Sequence, residues 1–324
     1  MNRYLPYLAG SGVALTWGLS FMFTRGALET LSPFHLLGLR FAAAALAMAL
    51  LRAVKLIKIN ISLADYIHLL PLSVFQPILY FAAETTGVML TSASYSGMII
   101  AAIPIVVALL SAFILREYPN KAQVFFILAS VLGVIFIVFM DNQSIEGVNP
   151  LGTLALLGAV VAAACYNIAS RKASANYSPL ETTWVMMIVG AVAFNAIALA
   201  QHLLDGRLRY FVSPLPELWV SIIYLGVASS VAAFFLFNYV LSKVPATQGS
   251  VFVNMVTVVA IAGGVIFMGE KVFWYHLAGT AAIIIGIWGT NTFAPPPHKY
   301  EEDVDSVEPG GEEIKTASSQ IDRH

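Results

Sequence analysis

Long apolar segments recur along almost the whole chain and alternate with short polar connections. Residues 91–117 are representative: small hydroxylated residues come first, largely uncharged positions follow, and the segment closes on Arg116 and Glu117. A run of about 20 apolar residues, with a rise of about 1.5 Å each, matches the hydrocarbon core of a bilayer. Ten such segments predict an all-α polytopic membrane protein, with transmembrane helices at residues 5–24, 34–52, 66–85, 92–115, 122–140, 150–170, 182–204, 218–240, 246–268 and 274–293.

The second half of the chain repeats the plan of the first half. Ala93 aligns with Ala246 and Glu117 with Glu270, in each case 153 positions later. The first helices of the halves align with an offset of 146 positions, which pairs Leu5 with Leu151, Gly12 with Gly158, Arg25 with Arg171 and Pro33 with Pro179. Because five helices per half is an odd number, the sequence predicts two inverted five-helix repeats, an arrangement suited to alternating access around a midplane site. A duplicated scaffold without transport is the alternative.

The chain is therefore divided into a first repeat at residues 1–141, a second repeat at 142–293 and a tail at 294–324. Three consecutive prolines at 295–297 stop any helix, and the acidic residues that follow predict a disordered tail. Apart from the tail and Arg40, nine Lys and Arg residues lie on the side of the membrane that holds the termini and four on the other side. By the positive-inside rule, we expect a multi-pass protein of the plasma membrane with both termini and the acidic tail in the cytoplasm.

Composition agrees with a membrane protein and excludes several other classes. Hydrophobic residues make up 59% of the chain and charged residues 11%, whereas soluble domains carry about 25% charged residues. The net charge of −1 gives no argument for nucleic-acid binding. A single cysteine, Cys165, excludes an intrachain disulfide, and the sequence carries no pattern of metal ligands. No nucleotide-binding or catalytic motif is present, so we predict no cofactor and no enzymatic activity.

Two ionisable residues within predicted spans are the sharpest functional candidates. Glu84, near the outer end of the third span, could bind and release a proton, since low dielectric favours the neutral carboxyl. The alternative is an interfacial carboxylate wetted by headgroups or by a cavity mouth. Arg40 in the second span could dock a substrate carboxylate or pair with Glu84, and its alternative is a structural anchor.

Aromatic and amide side chains complete the set of candidate cavity-lining residues. Trp17, Tyr80 and Tyr95 could stack on a substrate, or could serve packing and the interfacial belt. Four neutral amides in spans of the second half, Asn167, Asn238, Gln248 and Asn254, could donate to a zwitterion or could bond between helices. Prolines within spans, Pro71, Pro77 and Pro104, free helix carbonyls for gating bends or for static kinks. Glu117 is expected to cap a helix end.

Three motifs, taken in order, resemble those of a known family. They are Ala14-Leu15-Thr16-Trp17-Gly18 in the first span, Ser32-Pro33 followed by Arg40 in the second, and Ala93, Pro104 and Glu117 in the fourth. With the two repeats, they resemble the EamA-type transporters of the drug/metabolite transporter superfamily over residues 5–293. This resemblance implies a ten-helix exporter of amino acids or related metabolites, whose central cavity is enclosed by the first four helices of each half. The second half departs from the pattern at Ala163-Ala164, Met186 and Thr257, where Trp-Gly, Arg and Pro would recur.

We therefore interpret the chain as a secondary transporter that exports small metabolites, foremost amino acids or related compounds, across the cytoplasmic membrane by alternating access. A broad-specificity efflux pump for hydrophobic drugs is the alternative, because it would differ only in the lining of its cavity. The expected partners are a small-molecule substrate, the lipid bilayer and, as a candidate coupling ion, protons.

Overall fold

A computed structural model describes residues 4–90, 96, 99–140, 149–204, 218–268 and 272–294, and the regular secondary structure of these residues is entirely helical. The α-helices are α1 (Leu5–Leu28), α2 (Pro33–Ala53), α3 (Leu63–Ser73), α4 (Tyr80–Leu90), α5 (Ile103–Leu110), α6 (Lys121–Met140), α7 (Pro150–Ala173), α8 (Pro179–Leu204), α9 (Trp219–Ile223), α10 (Ala233–Lys243), α11 (Ala246–Met268) and α12 (Trp274–Thr292). Three π-helical segments join or extend them, namely π1 (Val74–Leu79), π2 (Ser111–Leu115) and π3 (Tyr224–Ala232).

Seven stretches of the described residues are long and apolar enough to cross a membrane. They are Pro33–Ala53, Leu63–Gly87, Lys121–Met140, Pro150–Ala173, Pro179–Leu204, Trp219–Lys243 and Ala246–Phe267, with a shorter apolar stretch at Ile103–Leu115. Two further helices, α1 and α12, contain 24 and 19 residues, lengths that also suffice at about 1.5 Å per residue. The prediction of an all-helical, multi-pass membrane protein is confirmed, and the number of ten crossings stays a prediction.

The three prolines within predicted spans occupy different positions in their helices. Gln76, immediately before Pro77, has an extended backbone (φ −148°, ψ 121°) within π1. Proline disfavours helical geometry in the preceding residue, which explains why α3 and α4 do not form one straight helix. Pro104 lies in the first turn of α5, where its missing N–H costs no hydrogen bond. It therefore begins a helix rather than kinking one, while Pro71 lies inside α3.

The helices of the two halves pack against each other rather than in separate bundles. The first-half helices α1, α2, α4 and α6 pack extensively on α11, α8, α7 and α12 of the second half, respectively. The largest core cluster is accordingly shared, with Phe41 and Phe81 from the first half and Tyr166, Phe234 and Phe237 from the second. Residues far apart in the sequence are thus brought together along the interface between the halves.

A polar cluster ties four helix ends together at one end of this interface. We name Glu117, Arg171, Leu241 and Ala246 the Glu117 cluster. Arg171 Nε donates to Glu117 Oε1 at 3.1 Å, and the backbone N–H of Ala246 donates to Glu117 Oε2 at 3.1 Å. Arg171 Nη1 also donates to the carbonyl of Leu241 at 3.2 Å. Glu117 therefore caps the first turn of α11 in the other half, which stabilises the orphan N–H groups and the helix dipole there.

Candidate functional site

The guanidinium of Arg40 lies buried between the two halves of the chain. The residue is 6% exposed, and it is positioned by α2. Its Nε donates to Ser230 Oγ at 2.7 Å, and its Nη2 donates to Ser229 Oγ at 3.0 Å. The guanidinium carbon stands 4.7 Å from the centroid of the Phe81 ring. Neutral hydroxyls and an aromatic face satisfy this cation without cancelling its charge.

Glu84 faces the interior from α4 and lies near this cation. Tyr80 precedes Glu84 by one helical turn, so the two side chains share a face, and the Tyr80 hydroxyl donates to Glu84 Oε1 at 3.3 Å. The carboxylate of Glu84 attracts the Arg40 guanidinium electrostatically. The two groups do not form an ion pair, because the one salt bridge within 4.0 Å among the described residues joins Arg171 and Glu117. Glu84 itself is half-buried.

Aromatic rings from both halves continue the site away from the guanidinium. Trp17 Nε1 donates to the backbone carbonyl of Ser229 at 3.0 Å. The Trp17 ring contacts Phe234 and Phe237, in both cases with 5.3 Å between centroids. Phe81 stands 6.3 Å from Phe234 and closes the group. We name as the central site the residues Trp17, Arg40, Tyr80, Phe81, Glu84, Ser229, Ser230, Phe234 and Phe237.

Asn238 holds three helices of the second half together. Its Oδ1 accepts hydrogen bonds from the Tyr166 hydroxyl at 2.9 Å and from Ser170 Oγ at 2.7 Å. Its Nδ2 donates to Thr183 Oγ1 at 3.0 Å. Every partner is a buried side chain of α7 or α8. The geometry of Asn238 is therefore that of a bond between helices, which was the alternative to substrate contact.

The other three amide candidates, Asn167, Gln248 and Asn254, lie on α7 and α11. Asn167 donates to the Ala163 carbonyl of its own helix at 2.8 Å, and Asn254 donates to Ser130 Oγ at 3.1 Å, between α11 and α6. The Oδ1 atoms of both are buried without a hydrogen-bond partner among the described residues. Gln248 is buried near the start of α11. Tyr95 lies outside the described residues.

Five of the nine central-site residues were not singled out from the sequence: the aromatic residues Phe81, Phe234 and Phe237, and two serines. These serines are Ser229 and Ser230. Both are completely buried, and both contact Arg40 across a separation of 189 or 190 residues. A pair of adjacent hydroxyls inside an otherwise apolar span is the signal that could have identified them, because hydroxyls in spans bond either to their own helix or to a neighbour. The sequence does not indicate which of these occurs.

Comparison with known proteins identifies the family. The EamA-like transporter family matches the chain twice, at residues 5–139 and 150–292. The chain belongs to the EamA-like transporter family. The resemblance seen in the sequence motifs is thereby confirmed, and family membership implies a transporter rather than an enzyme.

Relatives of this EamA-like transporter align with most of its length. The uncharacterized transporter YcxC of Bacillus subtilis is 37% identical over 88% of this chain and 92% of its own length. A protein of Salmonella typhimurium named as a probable amino-acid metabolite efflux pump is 23% identical over 85% of this chain and 91% of its own length. A solved crystal structure of a protein that is 19% identical superposes with a TM-score of 0.74, covering 90% of this chain and 98% of that one. This last similarity supports the fold.

Proposed function

We propose that this EamA-like transporter is a secondary transporter that exports small metabolites, in particular amino acids or related compounds, across the cytoplasmic membrane by alternating access. One observation carries the proposal: a buried cation, Arg40, lies within electrostatic range of the half-buried Glu84, beside aromatic rings of both halves, and the two groups form no salt bridge. Buried charges are costly and are expected to find partners. A zwitterionic substrate that enters between the two groups would supply both.

The atoms that would receive such a substrate can be named. Arg40 bonds to the protein through Nε and Nη2, and its Nη1 makes no hydrogen bond to a described residue. Glu84 bonds through Oε1, and its Oε2 likewise makes none within the described part of the chain. In the proposal, Nη1 binds the substrate carboxylate and Oε2 binds its ammonium. The rings of Trp17 and Phe234 then accept the apolar part of the molecule.

The proposed transport cycle requires two inverted repeats, at residues 1–141 and 142–293. The double family match supports this division. The helix packing supports it as well: α1 packs on α11 while its counterpart α7 packs on α5, and α4 packs on α7 while its counterpart α10 packs on α1. Exchanging the halves therefore preserves the contacts, as expected for a pseudo-two-fold axis. Rocking of one half against the other would expose the central site alternately.

The proposed orientation places both termini and the tail at 294–324 in the cytoplasm of the cell that carries this plasma-membrane protein. The Lys and Arg distribution supports it. In this orientation the Glu117 cluster lies on the cytoplasmic side. Impermeant thiol labelling of a cysteine introduced at Lys55, in a background with Cys165→Ala, is expected in inside-out vesicles. Labelling in right-side-out vesicles instead would reverse the orientation.

Counterflow of radiolabelled amino acids in proteoliposomes tests the substrate class. We expect saturable exchange with a subset of amino acids, lost in Arg40→Met and retained in Ser242→Ala, whose hydroxyl bonds within its own helix. Absence of saturable exchange across a broad panel would refute the proposal.

The second candidate function, efflux of hydrophobic drugs, is favoured by the rings of Trp17, Phe234 and Phe237, which could hold flat apolar molecules. A resistance profile in a host that lacks its own pumps separates the two functions. Drug resistance that persists in Arg40→Met would favour the drug pump.

Proton coupling by Glu84 is a further part of the proposal. Its support is the position of the carboxylate beside Tyr80 and near Arg40, where protonation would change the charge of the site. Glu84→Gln cannot carry a proton, so it should abolish transport driven by a pH gradient. Because Oε2 of Glu84 also binds the substrate ammonium in this proposal, the variant should keep counterflow only with a raised KM. Full pH-gradient-driven transport in this variant would show that Glu84 is not the proton carrier.

A further inference from the structure

The hydroxyl groups that hold Arg40 are arranged to do so without neutralising it. Ser230 Oγ donates its own proton to the Leu225 carbonyl at 2.8 Å, so its lone pairs are available to accept from Arg40 Nε. Ser229 Oγ accepts from Arg40 Nη2, while the Ser229 carbonyl accepts from Trp17. A carboxylate in either position would cancel the guanidinium charge, whereas a serine leaves it.

The local backbone of π3 makes this arrangement possible. The bond from Ser230 Oγ to the Leu225 carbonyl joins residues five apart, which is the spacing of a π-helix. Adjacent serines thereby reach neighbouring nitrogens of one guanidinium. Gly226 lets α2 approach closely, because a Cβ there would lie 2.9 Å from the Arg40 carbonyl oxygen and 2.7 Å from the Ala43 Cβ. The close approach of α2 to π3 brings Arg40 within hydrogen-bonding distance of the two serines.

We propose that Ser229 and Ser230 are positioning residues, which hold the Arg40 guanidinium in place for a substrate carboxylate without neutralising its charge. They thereby make the transporter selective for compounds with a free carboxylate. This inference rests on the proposed transport function, which places the substrate at Arg40. Two donors of the guanidinium are anchored at 2.7 and 3.0 Å, and the Phe81 ring covers one of its faces. The cation therefore needs little reorganisation to bind an anion, which is the benefit of a preorganised site.

The wild-type protein provides the first test, by competition in amino-acid counterflow. We compare a transported amino acid with its methyl ester, which keeps the amine and the side chain but removes the anionic carboxylate. The free acid is expected to compete at least tenfold better than the ester. Equal competition would overturn the inference while leaving the transport function established. Absence of any amino-acid counterflow would instead contradict the proposed function itself.

Serine variants provide the second test. Ser229→Ala and Ser230→Ala should each raise the KM for the free acid by about tenfold, the change expected from about 1.4 kcal/mol of lost binding. Competition by the ester and the maximal rate should change little. Ser229→Thr and Ser230→Thr keep a hydroxyl and should restore the KM. Ser242→Ala is the matched control on the same span.

Comparing the free acid with its ester in the serine variants distinguishes a positioning role of the two serines from a structural one. A structural defect would weaken recognition of both compounds. Loss of acid and ester recognition to the same extent, or an unchanged KM in both alanine variants, would refute the role of the two serines. If an alanine variant does not fold, the threonine variants and the wild-type comparison of acid with ester still decide the question.

Discussion

The Glu117 cluster provides a quantitative prediction about how the two halves are held together. Its ion pair joins Arg171 Nε to Glu117 Oε1 at 3.1 Å, and the side chains are 20% and 18% exposed, respectively. Most of each side chain is therefore removed from water, although the pair is not fully enclosed. The perturbation is a double-mutant cycle of Glu117→Gln with Arg171→Gln, because each substitution removes the charge and leaves a polar side chain. Glutamine matches the size of Glu117 and keeps one oxygen for the Ala246 N–H, and it is a shorter neutral replacement for Arg171.

The magnitude follows from the degree of burial. Exposed pairs contribute about 0.2–1 kcal/mol, whereas removing one partner of a buried pair costs about 3–5 kcal/mol. With about four-fifths of each side chain covered, we expect a coupling free energy of about 2 kcal/mol, between these limits. Glu117→Ala should destabilise the protein more than Glu117→Gln, because it also leaves the Ala246 N–H without its acceptor, at a further cost of about 1–3 kcal/mol.

Reversible unfolding by SDS in mixed micelles, followed through the fluorescence of the five tryptophans, measures these free energies. Lys172 gives a matched control, because it is the exposed cation adjacent to Arg171 on α7. The cycle of Glu117→Gln with Lys172→Gln should show coupling near zero. A coupling below about 0.5 kcal/mol for Glu117 with Arg171, the usual limit of additivity, would refute the reasoning that this pair stabilises the contact between the two halves.

Three further predictions concern packing and buried hydrogen bonds. Gly286→Ala should lower the free energy of unfolding by about 1–3 kcal/mol, because its Cβ would lie 2.6 Å from the Phe126 carbonyl oxygen of α6. The control is Gly158→Ala, because nothing lies within 4 Å of the new Cβ. It should leave the free energy of unfolding unchanged or raise it by up to about 1 kcal/mol. Equal losses of stability in the two variants would contradict the packing argument. Asn238→Ala should lower the free energy of unfolding in SDS by about 2–4 kcal/mol, because it leaves buried hydroxyls on α7 and α8 without their hydrogen-bond partner. A loss below about 1 kcal/mol would argue against a role of Asn238 in joining these helices. Trp17→Phe removes the bond to the Ser229 carbonyl but keeps an aromatic ring, so counterflow should persist with a KM raised about three- to tenfold; an unchanged KM would show that this bond does not support the site.

Four of the nine central-site residues were candidates from residue chemistry alone. Arg40 and Glu84 stand out because ionisable groups in apolar spans are costly. The structure places them within electrostatic range but without a salt bridge, and their roles in transport stay predictions. Trp17 and Tyr80 also lie in this site. For Asn238 the sequence left two roles open, contact with the substrate and a hydrogen bond between helices. An amide within a span can serve either role, and the sequence does not show its neighbours. Its buried partners on α7 and α8 are visible only in the structure.

The sequence by itself determined that the chain is helical and lies in a membrane, that its two halves are related, and which charges lie in apolar spans. These properties depend on local composition and on the length of apolar runs. Only the tertiary structure decided which residues meet: Ser229 and Ser230 hold Arg40, Glu117 caps α11 in the other half, and His35 lies 3.2 Å from His202. The physical reason is that lipid-facing and core-facing positions of a membrane helix are both apolar, so the pattern along a span does not show which face packs inward. Contacts across more than a hundred residues are set by the packing of helices, and this packing is not encoded in any single segment.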